Sequence, residues 1–151
     1  MPNKTLLLIA TSLCVPWLAV AQGADDVNMA SYRHASACVA VLRGEVDAQV
    51  LRHRAGQSAN EADMVRMTEQ AFAFIGTAYK SGLRKPEADV LLAEAERAQK
   101  SQSAESLRAL SASCQAEGGR LLADSNVFER ALASNRAKAK VDKQLAGGAG
   151  H

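Results

Sequence analysis

The chain has 151 residues, with 18 Lys and Arg against 16 Asp and Glu and a formal net charge of +2. That length carries one domain with a core of its own but not two of ordinary size. So even a balance of charge leaves no electrostatic footprint for nucleic acid.

The first segment reads as a leader. Lys4 precedes the apolar run LLLIATSLCV, then Pro16, then Ala19-Val20-Ala21 before Gln22. A charged end, a short apolar core and a small-x-small exit are the marks of a secretory signal peptide, here cleaved after Ala21. The core falls short of the roughly 20 apolar residues that a membrane-spanning helix needs. Cys14 lies inside it, preceded by Thr11-Ser12-Leu13. The small and bulky positions are reversed relative to a lipoprotein signal, so Cys14 is expected to leave with the leader. The expected mature domain covers 22–146, followed by a flexible tail over 147–151, and its compartment is the periplasm or the outside of the cell.

Two cysteines remain, Cys38 and Cys114. In an exported chain an even number of thiols most simply pairs, and closing a loop of this length is worth roughly 4 kcal/mol on the chain-entropy model. A reactive or metal-binding thiol pair is the rival reading, and no CxxC spacing supports it.

The mature segment is rich in Ala, Leu, Glu, Gln, Arg and Lys, and aromatic residues make up 4% of the chain. These are helix formers, and the alternating β-branched and aromatic runs of strands are missing. The expected fold is all-α, an up-and-down-like bundle of four helices, or five if the last is split, with one disulfide between the first and fourth.

Helix 1 is predicted from an Asn28 cap to about Arg54, with a stripe of Tyr32, Ala35, Val39, Leu42, Val46 and Val50. Asn60 caps helix 2, whose face is Met64, Met67, Ala71, Ile75 and Ala78, and Gly82 stops it. Helix 3 covers about 86–100, opened by Pro86, with Val90, Leu91, Leu92, Ala95 and Ala98 turned inward. Serines near 103 cap helix 4, along which Leu107, Cys114, Leu121 and Phe128 recur every seventh residue as an expected buried line. Gly118-Gly119 interrupts that line, as a kink or a short break, and is the expected point of close approach to helix 1. Helix persists to about Leu145. In an ideal bundle of this order the two cysteines would sit at levels roughly 10 Å apart, so the cross-link requires stagger.

Candidate chemistry is sparse. His34 and His53 are too far apart on one helix to share a ligand and read as surface or half-buried side chains, and His151 ends the tail. Met64 and Met67, one turn apart, are the spacing a soft ion such as Cu(I) would use, against the plainer reading of a core face. Met29 without a CxxCH does not make a haem site. Glu94 with Glu96, Glu45 with Asp47 and Glu61 with Asp63 are spaced for different sides of a helix and read as solvated faces. Arg130, Arg136, Lys138, Lys140 and Lys143 give the last helix a basic end without the broad apolar stripe of a membrane anchor.

The expected function is therefore binding of a partner protein, of an inhibitor, immunity or adaptor kind. No catalytic residue, cofactor, nucleic acid or membrane insertion is expected. The alternatives are a metal or small-ligand carrier and a stress chaperone.

Overall fold

The computed structural model describes residues 24–147. The expected leader lies outside the described residues, as does the expected tail beyond Gly147. All described elements are helical: α1 (Ala24–Arg54), α2 (Glu61–Lys80), α3 (Lys85–Gln99), α4 (Ala104–Asp124) and α5 (Val127–Ala146). Among the described residues the bundle has five helices, with the disulfide joining α1 to α4.

Helix α1 buries more than its predicted stripe. Val39, Leu42, Val46 and Val50 are in the core as expected, and Cys38, Ala40 and Val41 join them. The face is wide because α2, α3 and α4 all pack against α1, each covering a different side. Helix α2 is the second hub, touching α1, α4 and α5. Its buried set is correspondingly broad and includes Gln70, Ala73 and Phe74 beside the expected Met64, Met67, Ala71 and Ala78. Ile75 is only partly buried, packed against the core.

The loops follow local chemistry. Asn60 accepts a hydrogen bond from Asp63 N at 3.2 Å, and its own N–H donates to Gln49 Oε1 at 3.0 Å, tying the loop back to α1. At the other end of α2, Gly82 takes φ +108°, a backbone setting open to glycine and strained for other residues. Leu83 N then donates to Ala78 O, and the Leu83 side chain is buried with Ala78 and Leu91 in a smaller apolar cluster. Tyr32 Oη donates to Ser81 O at 2.6 Å and so pins this turn to α1. Pro86 lies in the first turn of α3, and Ser103 caps α4 by accepting from Ser106 N at 3.1 Å. Val90, predicted inside, is 56% exposed, and Ala98 is exposed too. Helix α3 lies on the outside against α1, so one narrow line of Ala88, Leu91, Leu92, Ala95 and Gln99 suffices to seat it.

The fourth helix departs most from expectation. It runs unbroken through Gly118-Gly119 and ends instead at Asp124. Ser125 is extended, and Asn126 caps a new helix by accepting from Glu129 N at 2.9 Å while the Glu129 carboxylate accepts from Asn126 N. The break resets the helical phase. Phe128 therefore leaves the seven-residue line and stands 76% exposed, whereas Leu107 and Leu121 remain packed on the core and Cys114 is fully buried. The glycine pair meets α2 rather than α1. A Cβ on Gly118 would lie 2.7 Å from Gln70 Cβ, and Gln70 Nε2 donates to Gln115 O at 3.0 Å across the same contact. Ending α4 early also places Cys114 near its middle, level with the middle of α1. This is how the cysteine Cα atoms come within 5.3 Å.

Lys140, on α5, is half-buried. Its ammonium is pushed below the usual lysine range, chiefly by burial and then by the nearby Arg43 cation, with Asp47 opposing. The unfolded chain therefore binds more protons than the folded one between the lowered value and 10.5. Stability contributed at this site should rise with pH through that window. Urea midpoints taken from neutral pH upward should show this rise, and Lys140→Met should flatten it.

A polar cluster beside the disulfide and an apolar shelf at the start of α5

The Cys38–Cys114 bond joins two fully buried residues at the centre of the domain. Two polar side chains close in on it. His34 lies one turn before Cys38 on α1, and its Nε2 stands 3.8 Å from Cys38 Sγ. Glu117, three residues after Cys114 on α4, accepts from His34 Nε2 at 2.8 Å. Phe74 of α2 packs edge-on against the imidazole at 6.2 Å between ring centres, which fixes its plane. Ligand atoms of His34, Cys38 and Glu117 all fall within 4.8 Å of one another. A small cavity of about 60 Å³, lined by Ser31, His34, Phe74, Thr77 and Glu117, lies against this cluster.

His34 is at the surface, within the surface or half-buried setting expected from the sequence, and the structure adds its contacts with Cys38 and Glu117. The signal was present: His34 and Cys38 are four apart on one helix, and such positions face each other. Glu117 becomes visible once the cysteines are paired, since it follows Cys114 by one turn. The other candidates sit elsewhere. Met64 and Met67 are buried in the main core cluster among Leu42, Val46 and Phe74. Met29 and His53 are exposed. Glu96 pairs with Arg43 at 3.1 Å, Asp47 accepts from Gln144 Nε2 at 3.0 Å, and Asp63 holds Arg66 at 2.9 Å. One carboxylate of each pair spaced by two is thus engaged, each with a different partner. Lys140 lies over the Phe72 ring at 6.0 Å, so it belongs to the α2–α5 contact.

A second feature stands at the start of α5. Val127 is 74% exposed beside Phe128, and Leu132, one turn beyond Phe128, is also exposed. Leu132 borders a groove of about 290 Å³ between α2 and the α4–α5 corner, floored by Phe72, Ala73, Gly76 and Leu122. Glu129, the groove's single carboxylate, is held by Lys80, whose hydrogen bond keeps the carboxyl below the usual carboxylate range. Arg136 also lines the groove and makes no ion pair among the described residues.

Comparison with known protein families, characterised proteins and solved structures returns no match to this chain. Among the described residues no helix is long and apolar enough to cross a membrane. The described residues form an all-helical domain tied by one disulfide, a bond that accords with an oxidising compartment.

Proposed function

We propose that this chain is an exported binding protein that occludes a partner protein through the shelf at the start of α5. The observation that carries the reading is the pair Val127 and Phe128, each about three-quarters exposed, one helical turn before Leu132, which borders the groove. Exposed aromatic and aliphatic side chains grouped at a groove are the anchors on which protein interfaces concentrate their binding energy. The rim favours an acidic partner, because Glu129 is already neutralised by Lys80 while Arg136 is left to attract a carboxylate. Export is supported by the leader pattern in the sequence and by the oxidised cysteine pair.

The test compares capture by the wild type, Phe128→Asp, Arg136→Glu and a control, Leu51→Asp, which alters an exposed leucine on α1. Because Phe128 and Leu51 are both exposed, their replacements should leave stability within about 0.5 kcal/mol. One stoichiometric protein recovered from a native envelope extract by the wild type and by Leu51→Asp, and lost with Phe128→Asp and Arg136→Glu, supports the reading. Equal recovery by Phe128→Asp, no recovery by the wild type, or turnover of a substrate by the purified protein overturns it.

A second reading, carriage of a small apolar ligand, has one observation in its favour. A cleft of about 130 Å³ lies between α1, α2 and α3, walled by Ala35, Val39, Phe74, Ile75, Leu83 and Leu92. That approaches the roughly 150 Å³ of engineered cavities that admit benzene, so titration with small aromatics separates this reading from the first.

A further inference from the structure

We propose that the sulfurs of the disulfide have a second use: in its dithiol state the protein binds one Zn²⁺ through Cys38, Cys114, His34 and Glu117. The inference is independent of the shelf on α5 and rests on what surrounds the cross-link. A purely structural disulfide in an apolar core needs no polar neighbours, yet here an imidazole and a carboxylate converge on it from the two helices it joins. Two thiolates, one imidazole and one carboxylate form a complete tetrahedral donor set of the kind zinc accepts.

The distances fit. In tetrahedral zinc with bonds of about 2.0 to 2.3 Å, neighbouring donor atoms stand roughly 3.3 to 3.8 Å apart. Cys38 Sγ and His34 Nε2 are already 3.8 Å apart, and all donor atoms of His34, Cys38 and Glu117 lie within 4.8 Å. His34 Nε2 and Glu117 Oε2, at 2.8 Å, need to part by about half an ångström to reach that spacing. Glu117 and His34 are partly exposed, at 34% and 48% of their side chains, so the ion has an approach from that side although both cysteines are buried. Phe74 against the ring supplies the packing that holds the imidazole in place.

The chemistry balances as follows. A dithiol reductant attacks the Cys38–Cys114 bond and leaves as its own cyclic disulfide, delivering two electrons and two protons to the sulfurs. Zn²⁺ then binds the two sulfurs and displaces both thiol protons. His34 places its proton on Nδ1 and offers the Nε2 lone pair, and Glu117 exchanges its hydrogen bond to His34 for the metal. Zinc and disulfide are therefore mutually exclusive states of the same two sulfurs. Zinc would hold α1 to α4 in a chain whose thiols are not yet paired. Exchange with a disulfide oxidant, which takes the two electrons, picks up two protons from solvent and leaves as thiols, would form the cross-link and release the ion.

The experiment titrates Zn²⁺ into the purified protein, reduced and oxidised, against a chromophoric chelator. Co²⁺ serves as a spectroscopic substitute, and helix content is followed throughout. The expected result is one equivalent bound by the reduced protein and none by the oxidised one. Co²⁺ should give the intense visible bands of tetrahedral thiolate coordination. His34→Ala and Glu117→Gln keep both thiols and should each weaken binding at least tenfold. If the reduced protein loses helix without metal, zinc should restore it in the wild type and fail to do so in His34→Ala. Wild-type affinity in both variants would show that the thiols alone bind the ion, and no binding by the reduced wild type would remove the site. Either result overturns the proposal.

Discussion

Replacing Cys38 and Cys114 together by alanine is expected to lower the unfolding free energy by about 4 kcal/mol, the largest effect of any change considered for this chain. The bond joins residues separated by 76 positions, and removing such a closure frees the unfolded ensemble by that amount on the chain-entropy model. Against a total of roughly 5 to 15 kcal/mol for an ordinary domain, the loss would leave the helices marginal at physiological temperature. Urea unfolding gives the measurement. The midpoint should fall, and the slope should rise because the unlinked unfolded chain exposes more surface. An unchanged midpoint would mean that the cross-link merely decorates a bundle that packing already holds. The same comparison made on wild type with and without reductant should give the same shift, provided zinc is excluded.

The second large effect is expected at the glycine pair, where neighbouring positions should respond with opposite signs. At Gly118 a Cβ would stand 2.7 Å from Gln70 Cβ and 3.3 Å from its Cα, so α2 and α4 would have to separate. Overpacking of this kind costs about 1 to 3 kcal/mol, more than the roughly 1 kcal/mol that alanine gains over glycine inside a helix. Gly118→Ala should therefore destabilise. At Gly119 the nearest atom is the flexible end of Gln70, Nε2 at 3.8 Å. There the helix gain is unopposed, and Gly119→Ala should raise stability by up to about 1 kcal/mol. Thermal midpoints of the two variants check both signs at once. A stabilised Gly118→Ala would show that the helices have slack at their contact.

How much of this was legible follows from the range of each interaction. Caps and stops are local, so Asn60, Ser103, Pro86 and Gly82 announced the ends of α2, α3 and α4 from composition alone. Asn126 with Glu129 is a capping pair of the same local kind, but the run Leu107, Cys114, Leu121, Phe128 masked it. A seven-residue repeat persists on paper through a break that resets the phase in space. The helix facing Gly118 could not be read, because a glycine states that something is close without stating what. The candidate metal cluster was half legible: His34 and Cys38 share a turn of one helix, whereas Glu117 needed the pairing of Cys38 with Cys114 to set the register of α4 on α1. The shelf on α5 was hidden by the same error of phase that placed Phe128 inside.

The covalent loop shuts at Cys114 and so encloses α2 and α3 while leaving α5 outside it. The last helix is moored mainly to α2, by Ala137 and Val141, and touches α1 only slightly. In a molecule built this way, fluctuations need not be shared evenly, since segments open at a cost set by their own moorings. The body from α1 to α4 is clasped by a covalent bond, whereas α5, which carries Val127, Phe128 and Leu132 near its start, is held by packing and by hydrogen bonds such as Gln144 to Asp47. A pull applied at the start of α5 would therefore load non-covalent contacts before it reached the clasp.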